Sequence, residues 1–300
     1  MTEVLAAFWN LVPVTLAQGL LYAFVALGVM VPFRLLAFPD LTSEGSFPLG
    51  GCLCAALMVA GLNPLVATLL AIGGGMLAGL ATAFVHLRFR INTLLAGILI
   101  MTILYSVNLR VLGKSNVALI GMDSVLHWIL PAIVTDVKLQ IAALGVLMAA
   151  ALAGLLWLLS TEVGLSMRAV GANAPLAPGL GINPWTYILA GLALANGLSA
   201  LAGAVAVQLQ GFADVHMGFG VLINGLAAVI IGETLIGRQT VARQIAAPVL
   251  GALVYYQLVS LGLALGLKPA DLKLATGLFV LVTLALPALR RGSEPERMRE

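Results

Sequence analysis

Residues 11–33 read Leu-Val-Pro-Val-Thr-Leu-Ala-Gln-Gly-Leu-Leu-Tyr-Ala-Phe-Val-Ala-Leu-Gly-Val-Met-Val-Pro-Phe, a run without a single charge. At 1.5 Å per residue a helix of this length covers roughly 35 Å, and a bilayer's hydrocarbon core needs about 30 Å. Inside lipid the backbone must satisfy its own hydrogen bonds, so so long an apolar run is a helix. Further apolar stretches follow at 47–60, 64–85, 94–112, 139–160, 185–207, 220–236, 245–265 and 272–289, the first of them short. The fold expected is all-α: a polytopic transmembrane helical bundle of about nine spans, within a range of eight to ten. Residues 125–134 are apolar but too few to span, and fit a re-entrant or interfacial segment.

Composition agrees. Of 300 residues 61% are hydrophobic and 9% charged, with mean hydropathy +1.10, against about 45–50% apolar and about 25% charged in soluble domains. No long polar linker separates the stretches, so 1–300 reads as one transmembrane domain. The net charge of +3 rests on 15 basic and 12 acidic residues without basic patches interleaved with aromatics, which excludes a nucleic-acid face. Residues 1–14 hold no Lys or Arg, so the first run reads as a retained span and not a signal peptide. Cys52 and Cys54 fall on different faces of a helix, which argues against a disulfide or a metal site.

Alternation through nine spans puts Arg34, Arg88, Arg90, Arg168, Arg238, Arg243 and the tail residues Arg290, Arg291, Arg297 and Arg299 on one side. Arg110, Lys114, Lys138, Lys268 and Lys273 fall on the other. Basic loops stay inside. The N-terminus is therefore expected outside and the C-terminus, with the tail 290–300, in the cytoplasm.

Acidic side chains at bilayer depth are costly and usually face water or a partner. Asp40, Glu44, Asp214 and Glu233 are candidates for a translocation path, or, taken singly, helix caps. Phe212-Ala-Asp214-Val echoes Phe38-Pro-Asp40-Leu on the opposite side of the membrane, as an inverted repeat of broken helices would. The polar residues Tyr105, Asn108, Asn196, Gln208 and Asn224 line the path or bond between helices. Small residues at Gly73, Gly74, Gly75 and Gly79, and at Gly191, Gly197, Ala200 and Gly203, suit close helix packing. His86, His127 and His216 show no ligand spacing, and no catalytic triad, metal cluster or Gly-x4-Gly-Lys-Ser/Thr phosphate loop is present in the sequence.

The longest break between spans is Glu162-Val-Gly-Leu-Ser-Met-Arg168-Ala-Val-Gly171-Ala172-Asn173-Ala-Pro175-Leu-Ala-Pro178-Gly-Leu-Gly181-Ile-Asn183-Pro184. Gly171 and Asn173 favour a turn, Pro175 a first helical turn, and Gly181 with Asn183-Pro184 a stop, so a short surface helix fits there.

Met167-Arg-Ala-Val-Gly-Ala-Asn173 with Leu180-Gly-Ile-Asn183 resembles the cytoplasmic segment of ABC-importer permeases of the branched-chain amino acid and ribose type. Phe38-Pro-Asp-Leu-Thr-Ser-Glu-Gly-Ser-Phe47, Ile91-Asn-Thr-Leu-Leu-Ala-Gly-Ile98, Tyr105-Ser-Val-Asn-Leu-Arg110 with Gly113-Lys-Ser-Asn116, and Gln210-Gly-Phe-Ala-Asp214 look like the subgroup described as tryptophan or tyrosine transport permeases. The likeness runs from about residue 19 to 237. It implies an inner-membrane permease working with a second copy of itself, two cytoplasmic ABC ATPase subunits and an extracytoplasmic substrate-binding protein. The solute implied is small and organic, an amino acid or a related compound. It implies no catalysis and no cofactor on this chain, MgATP being bound by the ATPase. It also implies a coupling helix over 168–181, with Arg168, Gly171, Ala172, Asn173, Pro175 and Gly181 at the ATPase. Ala172 departs from relatives that carry an acid there, so no salt bridge is expected at that position. Composition alone equally permits a self-sufficient secondary transporter or channel with the membrane acids as proton sites.

Overall fold

A computed structural model describes residues 2–122, 124–125, 136–268 and the isolated positions 271, 274, 277, 278 and 281. Apart from those positions, the expected span 272–289 lies outside the described residues, as do the tail 290–300, His127 and nearly all of 125–134.

Nine α-helices are found among the described residues: α1 (Thr2–Met30), α2 (Ser43–Val59), α3 (Pro64–Phe89), α4 (Thr93–Leu112), α5 (Val137–Ser160), α6 (Glu162–Ala172), α7 (Pro184–Gln210), α8 (Val221–Ile236) and α9 (Val241–Ala264). Their starts follow local chemistry. Asn63, Asn92, Asp136 and Asn183 each accept the backbone N–H two residues on, and Pro64 and Pro184 occupy first-turn positions where a missing N–H costs nothing. Seven helices are long and apolar enough to cross a membrane; α2 and α6 are not. The eight stretches expected before residue 268 all form helices. Two features depart from an all-helical reading of the loops: β1 (Asn116–Ala118) and β2 (Phe212–Asp214) form an antiparallel ribbon pairing Asn116 with Asp214.

The first helix does not stop at Phe33. It runs on through a π-helical turn, Val31–Leu35, that contains Pro32, whose missing N–H loosens the helical ladder. Ala37 then takes a left-handed φ of 50°, a conformation that costs a non-glycine residue roughly 1 kcal/mol. The chain does not leave the bundle there. Gly97 packs so closely that a Cβ on it would lie 2.9 Å from the Leu41 nitrogen, and Thr42 bonds Thr82. Thr82 stands seven residues before the end of α3, about 10 Å inside it at 1.5 Å per residue. Residues 36–42 are thus non-helical backbone within the bundle, and α2, only 17 residues long, starts inside it. Such backbone is tolerated only where protein supplies its bonds. Leu36 N–H donates to Val31 O, Phe38 N–H to Pro32 O, and Thr42 N–H to Asp40.

Glycine contacts set the helix directions. Gly28 of α1 meets Ala195 and Ser199 of α7 while Gly191 meets Leu36, so α1 and α7 are antiparallel. Gly75 meets Asn196 and Gly79 meets Leu192, so α3 also runs against α7. α8 is parallel to α1, Gly225 lying against Val29 and Glu233 against Arg34. α1 and α7 form the centre, with 78% and 72% of their apolar windows buried, and α5 the periphery, with 17%. The bundle has two ends. The end of α1 and α8 carries Arg34 and, through α6 and the α8–α9 turn, Arg168, Arg238 and Arg243; the opposite end carries the β-ribbon with Lys114.

Candidate functional site

Three groups of polar residues stand out, at the centre and at either end. At the centre Asp40 is fully buried. Its Oδ1 accepts the Thr42 N–H at 2.8 Å and its Oδ2 accepts Asn196 Nδ2 at 2.8 Å. Asn196 also donates to Leu192 O at 3.0 Å, and its Oδ1 accepts Ser46 Oγ at 2.7 Å. Thr42 and Thr82 hydroxyls are 2.7 Å apart. Asp40 closes the turn that leads into α2 by accepting the N–H of Thr42, the residue before the first helical position. Thr42, Ser46 and Thr82 were not singled out from sequence; Thr42-Ser43, one residue beyond Pro39-Asp40, is a capping signal that would have found the first.

On the ribbon side of this network a cleft opens between the first turns of α2, the middle of α4 and residues 215–219. Glu44, Tyr105, Asn108 and Phe219 line it. Glu44 accepts the backbone N–H groups of Gly220 and Leu222, capping α8 across the gap. Asn108, 1% exposed, donates Nδ2 to Gly45 O at 3.2 Å. Tyr105 Oη lies 3.3 Å from His216 Nε2, and the His216 ring stacks on Phe219.

At the ribbon, Asp214 Oδ1 accepts the His216 N–H at 2.7 Å and Oδ2 accepts Asn116 Nδ2 at 3.3 Å. The His216 backbone bond holds the Asp214 carboxyl below its ordinary range. Asp40 and Asp214 thus do the same thing locally, each accepting the N–H two residues on. Gln208 bonds Thr68 at 2.9 Å and the Val125 N–H at 2.7 Å. Asn224 accepts the Tyr255 hydroxyl at 2.8 Å.

At the arginine end Glu233 pairs with Arg34 at 2.6 Å. Here the surface helix sits earlier than expected: α6 covers Glu162–Ala172, with Gly171 in its last turn instead of a turn outside it. Asn173 Oδ1 accepts the Leu176 N–H at 3.2 Å, and Pro175 lies in that turn, not in a first helical turn. Gly181 ends a 3-10 turn, Ala177–Leu180, with φ 75°. The reason is the amphipathic spacing of Gly164, Met167 and Val170, which buries one face of α6 and holds the helix to its end. Gly171 abuts Leu35 so closely that a Cβ would overlap its carbonyl oxygen. Arg168 donates Nε to Gly164 O and Nη2 to Leu159 O, both at 3.2 Å. Val163, Leu165, Leu176 and Leu180 point outward, the last two 59% and 66% exposed.

The candidates therefore do not share one lining. Asp40 and Asn196 meet, as do Glu44, Tyr105 and Asn108; Asp214 reaches Tyr105 through His216, while Asn224 and Glu233 have separate partners. Among the described residues no group of His, Cys, Asp and Glu could hold a metal ion.

The family described as the branched-chain amino acid transport system / permease component matches residues 13–286. This chain belongs to that family. The permease is 37% identical over 270 residues to the tyrosine transport system permease protein of Clostridioides difficile (strain R20291), covering 90% of this chain and 89% of that protein. An uncharacterized protein of Rickettsia prowazekii (strain Madrid E) is 33% identical over 92% of the permease and 97% of its own length. The galactofuranose transporter permease protein YtfT of Escherichia coli (strain K12) is 26% identical over 64% of the permease and 55% of itself. No solved structure matches significantly. The permease is a multi-pass inner-membrane transport component of the ABC permease kind.

Proposed function

We propose that this chain, as one membrane domain over its whole length, forms the translocation path of an ABC importer for an amino acid or a related small organic solute. Two copies work with two ATPase subunits at the arginine end, which faces the cytoplasm, and with a substrate-binding protein at the ribbon end. The solute class follows the printed activity of the tyrosine transport relative. MgATP belongs to the ATPase, since the sequence holds no phosphate loop. The family resemblance and the echo of Phe38-Pro-Asp40 in Phe212-Ala-Asp214 support an inverted repeat, each aspartate making the same turn before a helix that starts beside Glu44.

The observation that carries the reading is the seat of α6. Its buried face rests against Leu35, where α1 turns into the buried 36–42 segment, and its outer face with the following turn exposes Val163, Leu165, Leu176 and Leu180 for an ATPase groove. Arg168, Gly171, Ala172, Asn173, Pro175 and Gly181 belong to this coupling surface. ATPase closure displaces α6; the π-turn moves with it; Asp40 carries the shift to the start of α2 and to Asn196 on α7. Asp40, Glu44, Tyr105, Asn108, Asn196, Asp214, Asn224 and Glu233 are the polar residues along that route.

A second reading has one observation in its favour: the buried Asp40, without a cation among the described residues, is what a proton-driven carrier would use. The two separate in one experiment. The tagged chain is purified from native membranes in mild detergent, co-purifying proteins are identified by mass spectrometry, and ATP hydrolysis is assayed. An ATPase that comes with the wild type and is lost on Leu176→Glu or Leu180→Glu, exposed positions that leave folding intact, supports the importer. A chain that stays alone and accumulates solute on a proton gradient overturns it.

A further inference from the structure

The cleft beside Glu44 has an unbalanced chemistry. The Asn108 side chain is all but sealed from solvent, yet its Oδ1 has no hydrogen-bond partner. A flipped amide does not resolve this. Gly45 O is an acceptor and fixes Nδ2 toward itself, so the orphan is the oxygen. A buried acceptor without a donor is costly, and such atoms call for a donor from elsewhere. Beside it stands the Glu44 carboxylate, whose two N–H donors leave lone pairs over, since an ionised carboxylate has about four acceptor positions. The nearby donors have partners: the N–H groups of Gly220 and Leu222 are on Glu44, one N–H of Asn108 Nδ2 is on Gly45 O, and the Tyr105 hydroxyl lies against His216 Nε2. The lining thus offers negative charge and unused oxygens, and asks for a cationic donor.

Size and shape say which. The cleft is open at its mouth and has room for water-sized groups over ≈ 30 Å³, where one such group needs about 10–15 Å³. The mouth is aromatic, with Tyr105 43% and Phe219 57% exposed. An ammonium group fits inside, an apolar or aromatic body fits outside against these rings, and a cation close to their faces gains further. We propose that this cleft seats the protonated amine of the transported solute, with Glu44 and Asn108 Oδ1 as its acceptors and Tyr105 and Phe219 against its body. The assignment rests on the transport reading above and adds the functional group that the path recognises.

The test uses the full chain in lipid nanodiscs and radiolabelled tyramine, with 3-(4-hydroxyphenyl)propionate as the competitor that lacks the amine. Tyramine binds saturably and the propionate does not displace it. Glu44→Gln, which keeps an oxygen to cap α8, weakens tyramine by roughly tenfold or more, the loss expected for a hydrogen bond to a charged group. Tyr105→Ala, at the exposed mouth, weakens it by about threefold, the worth of an exposed cation–π contact, with unchanged thermal unfolding. Tyramine binding that is absent, indifferent to both substitutions or equally displaced by the propionate overturns the proposal, as does sodium binding in tyramine's place. ATPase co-purification with the same variants keeps the two readings apart. If Glu44→Gln protein retains the ATPase and tyramine behaves as in the wild type, the cleft assignment alone falls; if wild-type protein brings no ATPase, the importer reading falls.

Discussion

Asp40 holds three elements together with one carboxylate, taking bonds from its own turn and from α7 while α4 closes over it at Gly97. Asp40→Ala leaves the Thr42 N–H and Asn196 Nδ2 without acceptors, and each buried orphan costs about 1–3 kcal/mol. Asp40→Asn turns an amide donor toward Asn196 Nδ2, so one bond is lost unless Asn196 turns over and gives up Leu192. The exchange Asp40→Asn with Asn196→Asp restores a donor opposite an acceptor and keeps an oxygen for Ser46. Thermal unfolding in detergent is expected to fall for each single change and to recover in part for the pair; additive losses would count against the network. At this scale sequence reading went some way. It singled out Asp40 and Asn196 as polar residues at membrane depth, but no rule of spacing ties residues 156 positions apart. Whether Asn196 met Asp40, Asn224 or neither depended on how α1 ends, and the π-turn that decides it is marked in the sequence only by Pro32, two residues before Arg34.

Between elements, backbone contact through glycine replaces the side-chain interlocking of a soluble core. Gly232 of α8 lies on the Ala247 carbonyl and Gly251 of α9 on the Ala228 carbonyl, a reciprocal pair that draws two antiparallel helices together. Gly232→Ala puts a methyl where that carbonyl is, and overpacking of this kind costs typically about 1–3 kcal/mol. Gly73, whose added Cβ would meet nothing, is the control: Gly73→Ala is expected to leave unfolding unchanged or raise its midpoint slightly, since alanine favours the helix by roughly 0.5–1 kcal/mol. Equal effects at both sites would show that α8 and α9 are not packed this way. Of the glycines prominent in the sequence, Gly75 and Gly79 do meet α7, while Gly73 does not; Gly232 and Gly251 carry as much weight and drew no notice. Small-residue spacing tells that a helix has a close-packing face, but a lone glycine in another helix can supply the matching one. The surface helix shows the same limit. Its existence between α5 and α7 was legible, but its register was not, because Gly171 and Asn173 read as turn residues until Gly171 is seen to be the only size that fits on Leu35.

For the whole molecule, hydropathy was the most reliable guide: each long apolar run before residue 268 became a helix, since length against bilayer thickness leaves little choice, although α1 begins at Thr2, nine residues ahead of its run. What it could not give is that α2, 17 residues long, starts inside the bundle, because the non-helical stretch 36–42 before it is mostly apolar like its flanks. The two ends of the bundle differ in charge, and the arginine end is expected to face the cytoplasm. Cysteines at Ala174 and Ser115, both exposed, test this against a background in which Cys52 and Cys54 are buried. A membrane-impermeant maleimide applied to intact cells is expected to label Ser115→Cys and spare Ala174→Cys; the reverse pattern would invert the orientation and remove α6 from the reach of an ATPase.

The buried start of α2 also sets a timetable for biogenesis. Asp40 gains its α7 partner only when Asn196 has been synthesised, 156 residues later. At a translation rate of about 5–20 residues per second the wait is roughly 8–30 s. During that interval a nascent chain holds a short helix led by an acid whose bond across the bundle has not yet been made. A chain cut short before residue 196 therefore lacks the side chain that ties Asp40 and Ser46 to α7, and is expected to unfold more easily than the whole bundle.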